Sequence, residues 1–286
     1  MSYMKKALEK ARKERKTLFD NIEGRTEKRD EDALKNLLAK REAVRSLPIQ
    51  GDVTKPVYTD TKVIQIDRDR LVENRIFSIN ENDVVADQYK LLRTMILNKT
   101  RPNGFNTIEV TSFKDNEGKS LTAVNLAVTL AKESRQTVLL VDADLRQPSI
   151  GTIFGINSSP GLKDYFLNDV PLKDILVHPG LETLTVIPGG GRMNNSTEII
   201  GSHRMEDLVV ELKTRYKDRF IIFDTPALNQ CPDALVLSSY LDGIVLVARA
   251  AYTTNDDIKA GLELVKDRNV LGIVLNDSEI AKGWAY

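Results

Sequence analysis

Beyond about residue 81 the chain settles into a regular rhythm. Short apolar, often β-branched runs occupy 107–111, 137–141, 183–187, 220–223, 243–247 and 270–275, each the length of a buried strand. Segments with helical spacing separate several of them. Ahead of the first strand, Asn82 or Asp83 can cap a helix whose apolar positions are Val84, Val85, Leu91, Leu92, Met95 and Ile96. Strands that are apolar throughout and alternate with helices predict a mostly parallel sheet covered on both faces, a doubly wound α/β domain. Such a sheet takes its ligand at the carboxyl edge of the strands.

The N-terminal part follows no such rhythm. Residues 1–46 are rich in Lys, Arg, Glu and Ala, carry a net charge of about +5, and space their few apolar residues only partly as a helix would, as in Ala7, Leu8, Ala11 and Leu34, Leu37, Leu38. They read as a charged helical extension, either a solvated one or a docking arm for an acidic or membrane-associated partner. Residues 47–80 contain Pro48, Gly51 and Pro56 and one weak alternation, Lys62-Val63-Ile64-Gln65-Ile66. They read as a linker with a single weak strand. The predicted organisation is therefore extension 1–46, linker 47–80 and catalytic-type domain 81–286.

Composition narrows the function classes. The 286 residues carry 41 basic and 41 acidic side chains, 41% hydrophobic residues and 29% charged, as soluble globular proteins do. Zero net charge argues against a nucleic-acid binder working by bulk electrostatics. One cysteine, Cys231, and two histidines, His178 and His203, make a disulfide framework or a zinc site improbable. No apolar stretch is long enough to span a membrane, and the start lacks the apolar core of a signal peptide. The expected location is the cytoplasm.

Three strand ends carry the chemistry. After the first core strand comes Ser112-Phe113-Lys114-Asp115-Asn116-Glu117-Gly118-Lys119-Ser120, then the helical run from Leu121. Strand, loop, Gly-Lys-Ser, helix is the context of a phosphate-binding loop. Backbone N–H groups over Asn116, Glu117, Gly118, Lys119, Ser120 and Leu121 would cradle phosphate oxygens, with Lys119 on the β/γ-phosphates and Ser120 on Mg²⁺. Phe113 stands where the common pattern has glycine. The second strand end, Val141-Asp142-Ala143-Asp144, brings two carboxylates beside the expected phosphates. One can hold Mg²⁺ while the other accepts a proton from a hydroxyl nucleophile. The third, Phe223-Asp224-Thr225-Pro226, adds an acid suited to organising Mg²⁺. Together they predict an ATP and Mg²⁺ site.

Over about residues 83–276 the chain resembles the bacterial tyrosine kinases of polysaccharide synthesis and export loci. The likeness is carried by Glu117-Gly118-Lys119-Ser120, by Asp142-Ala143-Asp144-Leu145-Arg146-Gln147-Pro148 and by Phe223-Asp224-Thr225-Pro226. Lys6-Ala7-Leu8-Glu9-Lys10-Ala11 is similar to the start of exosortase-linked tyrosine autokinases. The resemblance implies a P-loop NTPase fold of the deviant Walker type and ATP-dependent protein-tyrosine (auto)kinase activity. It implies phosphate and Mg²⁺ binding by Lys119 and Ser120, Asp142 as the base near the incoming tyrosine, and Asp144 and Asp224 as metal organisers. It makes Arg249 and Asn276 candidates for adenine contact. The family's oligomerisation motif matches as Asp87, Lys90 and Arg93, spaced to share one helical arc. A ring or dimer of this chain, and a membrane partner of the chain-length-determinant type at the inner face of the membrane, are the implied assemblies.

The resemblance has departures. The chain ends Gly283-Trp284-Ala285-Tyr286, so a tail tyrosine cluster is not expected and Tyr286 is the one acceptor in the tail. Asp115-Asn116 replaces the usual Pro-Gly of the loop. Asn tolerates the left-handed backbone such a loop needs, but an added acid near phosphates is unfavourable. Lys114 has the register of the signature lysine in partitioning and division-site ATPases. This keeps a second reading open, an ATP-switched assembly protein that phosphorylates no tyrosine.

Overall fold

A computed structural model describes residues 62–80, 83–133, 136–156, 160–215 and 218–279. The expected extension 1–46 and the acceptor Tyr286 lie outside these residues. In chain order the elements begin with β1 (Lys62–Val63), α1 (Arg68–Glu73), α2 (Val84–Thr100), β2 (Thr107–Ser112), α3 (Lys119–Ala131), β3 (Thr137–Asp142), α4 (Ile150–Phe154) and α5 (Leu162–Leu167). They continue with α6 (Leu172–Ile175), β4 (Val177–His178), β5 (Leu184–Ile187), α7 (Ser196–Ile200), α8 (His203–Arg215) and β6 (Arg219–Asp224). The last are α9 (Asp233–Leu237), β7 (Gly243–Arg249), α10 (Asn255–Leu264) and β8 (Val270–Asn276).

The strands form one sheet in the order β1-β4-β5-β3-β6-β2-β7-β8. Only the β4–β5 pair is antiparallel. All six predicted strands occur within two residues of their expected bounds. Every residue of β2, β3 and β6 is buried, because both faces are covered. Val138, Leu140 and Ile222 face one core with Ile96, Val124 and Leu130; Leu139, Val141 and Phe223 face the other with Leu208 and Leu212. The chain runs from β2 outward to β3 and β5, then returns to lay β6 between β3 and β2. That return brings the carboxyl ends of β2, β3 and β6 side by side.

Two expectations need correction. Residues 62–80 belong to the domain and are not a linker. Val63 pairs with His178, and Leu71 and Ile76 are completely buried. Asn125 on α3 clasps the segment, its Oδ1 accepting from the Ser78 N–H (3.0 Å) and its Nδ2 donating to the Arg75 carbonyl (3.1 Å). The segment reads as a linker because its buried anchors are few and widely spaced, and their partners come from α3. The second correction concerns α2. Asp83 caps it as predicted, accepting from the N–H groups of Val85 and Ala86. However, Val84, Leu91 and Met95 are 59, 47 and 54% exposed, while Ala86, Tyr89, Ile96 and Leu97 are buried. Two neighbouring arcs of α2 are apolar enough to face a core, and packing on α3 selects the second.

An ionisable group lies in the interior of the central strand. Glu109, in the middle of β2, is fully buried and accepts a hydrogen bond from the Thr225 hydroxyl (2.7 Å). Burial pushes its carboxyl up to about 8, against the smaller opposing effects of that bond and of the Arg268 charge. A carboxyl whose folded value exceeds its ordinary 4.5 favours folding most at pH below that ordinary value, and the contribution is lost as pH rises through about 8.

Two outcomes follow. Leu71→Ala should lower the urea-unfolding free energy by about 2–5 kcal/mol, whereas a linker position would change it by less than about 0.5 kcal/mol. Glu109→Gln should flatten the stability profile, measured by urea unfolding at several pH values. Between about pH 5 and 8 the parent should lose up to about 1.4 kcal/mol per pH unit relative to the variant.

Candidate nucleotide site

The loop after β2 begins with Phe113 at the position where a phosphate loop usually has glycine. Its ring is buried against α10, where a Cβ on Gly261 would come within 2.4 Å of it. The loop then turns through two left-handed residues, Asn116 at φ 62° and Gly118 at φ 90°. Asn116 thus adopts the conformation anticipated for it. Gly118 caps α3, and a Cβ there would strike the Asn276 amide at 2.1 Å. Positive φ and this close approach both require glycine. The first N–H groups of α3 have no intrahelical partner and carry the positive end of its dipole. Leu121's side chain packs against the core, which leaves its backbone N–H as the group it can offer.

Three carboxylates converge beside that helix end. Asp142 and Asp224 are direct register partners on the neighbouring parallel strands β3 and β6, whose backbones lie about 4.8 Å apart. Asp144 follows two residues later, and the Lys119 ammonium bonds its Oδ2 at 2.6 Å. All three acids are at most 1% exposed. The other Asp144 oxygen accepts from the Gln147 N–H (2.9 Å), and Asp142 Oδ2 from the Ile150 N–H (3.0 Å). Asp142 Oδ1 has no hydrogen-bond partner. Neither oxygen of Asp224 makes a full hydrogen bond, although the nearby Lys119 ammonium and Ser120 hydroxyl favour its charged form.

The electrostatics follow from this crowding. Burial pulls the Lys119 ammonium down, but Asp224, Asp144 and Asp142 outweigh it and hold lysine above its ordinary value. Burial, then the Asp224 charge, pushes Asp142 well above the usual carboxylate range. Burial likewise raises Asp224 to about 6, tempered by Lys119 and Ser120. Three carboxylates opposed by one ammonium leave an excess of negative charge. Unpaired buried oxygens with an adjacent hydroxyl are the donor chemistry that a hard divalent cation takes. Among the described residues no group of three or more His, Cys, Asp or Glu side chains is arranged to hold a metal ion by itself; Mg²⁺ that takes further ligands from substrate phosphates and water needs fewer from the protein. The residues fit the metal that the fold implies.

The other candidate residues divide. Arg249 and Asn276 meet at the loop: Asn276 Nδ2 donates to the Glu117 carbonyl (2.9 Å), and Arg249 pairs with Asp277 (2.9 Å) while reaching the Asn116 carbonyl at 3.5 Å. Lys114 is held within its own chain, by Asp257 (2.7 Å), by the Tyr252 carbonyl (3.2 Å) and over the Tyr252 ring. Asp87, Lys90 and Arg93 do not act as one exposed arc. Lys90 pairs with Asp87 on the surface, whereas Arg93 turns inward to Glu133 (3.0 Å) and the Thr129 carbonyl (3.1 Å) on α3. Sequence reasoning missed Thr253, whose hydroxyl reaches the Glu117 carboxylate, and no local pattern marks it. Ile187-Pro188-Gly189-Gly190 also belongs to the resemblance, and the structure sets Gly189 close to Pro148 and Asp142, where a Cβ would come within 2.6 and 3.5 Å of them.

Comparison with known proteins agrees with this geometry. The ParA family model, described as NUBPL iron-transfer P-loop NTPase, matches residues 105–282. Tyrosine-protein kinase YwqD of Bacillus subtilis is 30% identical over 220 residues, covering 76% of this chain and 91% of the relative. Among solved structures, the chimerical protein CapA2B2 superposes with a TM-score of 0.67 at 28% identity, covering 77% of this chain and 94% of that one. The septum site-determining protein MinD of Pyrococcus horikoshii, complexed with Mg-ADP, reaches 0.51 at 25% identity, over 61% of this chain and 72% of that one. The fold is that of a nucleotide-binding P-loop NTPase, and the chain belongs to the bacterial tyrosine-protein kinases within the ParA group.

Proposed function

We propose that this chain binds ATP with Mg²⁺ and transfers the terminal phosphoryl group to tyrosine hydroxyls, those of its own copies included. The observation that carries this is the trio of buried strand-end carboxylates around one lysine, with Asp142 Oδ1 and Asp224 left unpaired beside the N-terminus of α3. Lys119 exchanges Asp144 for phosphate oxygens as nucleotide enters. Ser120, Asp144 and Asp224 would hold Mg²⁺, which supplies neutralisation of the phosphate charge. Asp142 accepts the tyrosine proton through its unpaired oxygen. Its burial next to Asp224 makes it a stronger base than a surface aspartate. The tyrosine oxygen bonds to the terminal phosphorus as the bond to the bridging oxygen breaks, and ADP leaves with that electron pair.

The resemblance to kinases of polysaccharide loci supports a role in exopolysaccharide or capsule synthesis or export. It also supports a membrane partner of the chain-length-determinant type at the cytoplasmic face. No helix among the described residues is long and apolar enough to cross a membrane, and the basic segment 1–46 is the proposed docking arm. Self-association into a ring or dimer would use α2, where Asp87 and Lys90 lie beside the exposed Val84, Leu91 and Met95. The assembly-ATPase alternative rested on Lys114, and the Asp257 and Tyr252 contacts that hold this lysine inside its own chain favour the kinase reading.

Incubation with Mg-ATP followed by peptide mass spectrometry should find phosphate on tyrosine, Tyr286 among the acceptors to inspect, and none in Lys119→Met. Intact nucleotide binding with no phosphotyrosine on the chain or on an added tyrosine peptide would overturn the kinase reading. Asp142→Asn should lower kcat by about 100-fold or more, with the KM for ATP within about threefold because ground-state binding is retained. Steady-state kinetics on the tyrosine peptide measure both.

A further inference from the structure

A phosphate loop ordinarily wraps its ligand because small residues let the backbone turn closely. Here five of its positions carry Phe113, Lys114, Asp115, Asn116 and Glu117, and something else must hold the shape. Glu117 is fully buried, and both of its oxygens are used. Oε2 accepts the Lys114 N–H at 2.8 Å, closing the loop on itself. Oε1 accepts the Thr253 hydroxyl at 2.5 Å, joining the loop to the turn between β7 and α10. The same Thr253 oxygen accepts the Arg249 N–H at 2.7 Å. One polar chain therefore runs from the end of β7 through Thr253 and Glu117 to the start of the loop.

The turn that supplies the hydroxyl is itself fixed. The Ala250 N–H donates to the Asn276 carbonyl (2.9 Å), and Thr254 and Asp257 form a reciprocal cap on α10. Asp257 also binds Lys114 from the opposite end of the loop (2.7 Å). A hydroxyl held this way meets a buried carboxylate in a charge-assisted bond, the strong and directional kind. Without it the carboxylate keeps one donor, the Lys114 N–H, and must turn or admit water, and the backbone between 114 and 118 turns with it.

We infer that Thr253 and Glu117 are positioning residues for nucleotide: the Thr253–Glu117 hydrogen bond sets the phosphate loop in its receiving shape before ATP arrives. This rests on the nucleotide reading above and deepens it, since neither residue transfers a proton or phosphate. A preshaped loop binds phosphates in the ground state and the transition state alike. Loss of the bond therefore raises KM and leaves kcat nearly unchanged.

The experiment uses the full chain and Mg-ATP, with nucleotide affinity by calorimetry, tyrosine-peptide kinetics and thermal melting. Thr253→Val, which keeps the volume and removes the hydroxyl, should weaken ATP binding and raise KM by about tenfold, with kcat within about twofold. Thr253→Ser should restore the parent's affinity within about twofold. Parent-like affinity in Thr253→Val overturns the inference, as does equal weakening in both variants, which would assign the effect to the methyl group. If Thr253→Val fails to fold, Thr253→Ala removes the same hydroxyl donor to Glu117: weakened binding with kcat kept, beside a parent-like Thr253→Ser, supports the inference, and unchanged binding overturns it. A parent chain that binds no nucleotide removes the underlying reading and this one with it. A parent that binds nucleotide but phosphorylates no tyrosine leaves the affinity comparison to decide this inference alone.

Discussion

The repulsion between Asp142 and Asp224, set opposite each other on adjacent buried strands, is the constraint around which the rest of this structure is arranged. Two carboxylates this close inside a sheet cannot both ionise without a counter-charge. Lys119, at the first turn of α3, supplies one, and Asp144 brings a third acid to bind that lysine. The cluster remains one-sided in charge, which gives it an appetite for a cation and raises the basicity of Asp142. Metal affinity and proton affinity thus come from the same crowding. They are divided among the three acids by which oxygens the backbone has already engaged.

Beside this cluster the loop solves a second problem. Conventional glycine-rich loops are shaped by what they lack, whereas this one is shaped by what its side chains grip. Phe113 anchors it in the core under α10, and Glu117 turns inward to staple it. Asn276 and Arg249 hold its carbonyls from the ends of β8 and β7. Residues that departed from the common motif in sequence are therefore the ones that carry its geometry. Lys114 belongs to the same bracing, paired with Asp257 within the chain, in the register that a signature lysine occupies.

The periphery follows a different logic. Residues 62–80 look like a linker because Leu71, Ile76 and Ile79 are its few buried apolar anchors. What makes them structural is Asn125, a polar residue buried on α3 that satisfies the Ser78 and Arg75 backbone groups. On α2 two apolar arcs compete. The arc carrying Tyr89, Arg93 and Ile96 packs inward, leaving Leu91 and Met95 on the surface. Periodicity identifies a helix with an apolar face, but which arc is buried depends on the neighbour it meets.

What the amino-acid order determined by itself was everything encoded over a few adjacent residues. This includes the buried strands, the Asp83 cap, the left-handed Asn116, the Gly-Lys-Ser helix start and the acids closing β3 and β6. Each is a local matter of backbone preference, apolar run length or motif spacing. Only the tertiary structure decided that Asp142 and Asp224 stand opposite each other, that Arg93 turns inward, and that Thr253 meets Glu117 across 136 positions of chain. Those contacts depend on the order in which strands return to the sheet and on which turn comes to rest over which loop. Long-range packing sets that order, and no short window of sequence contains it.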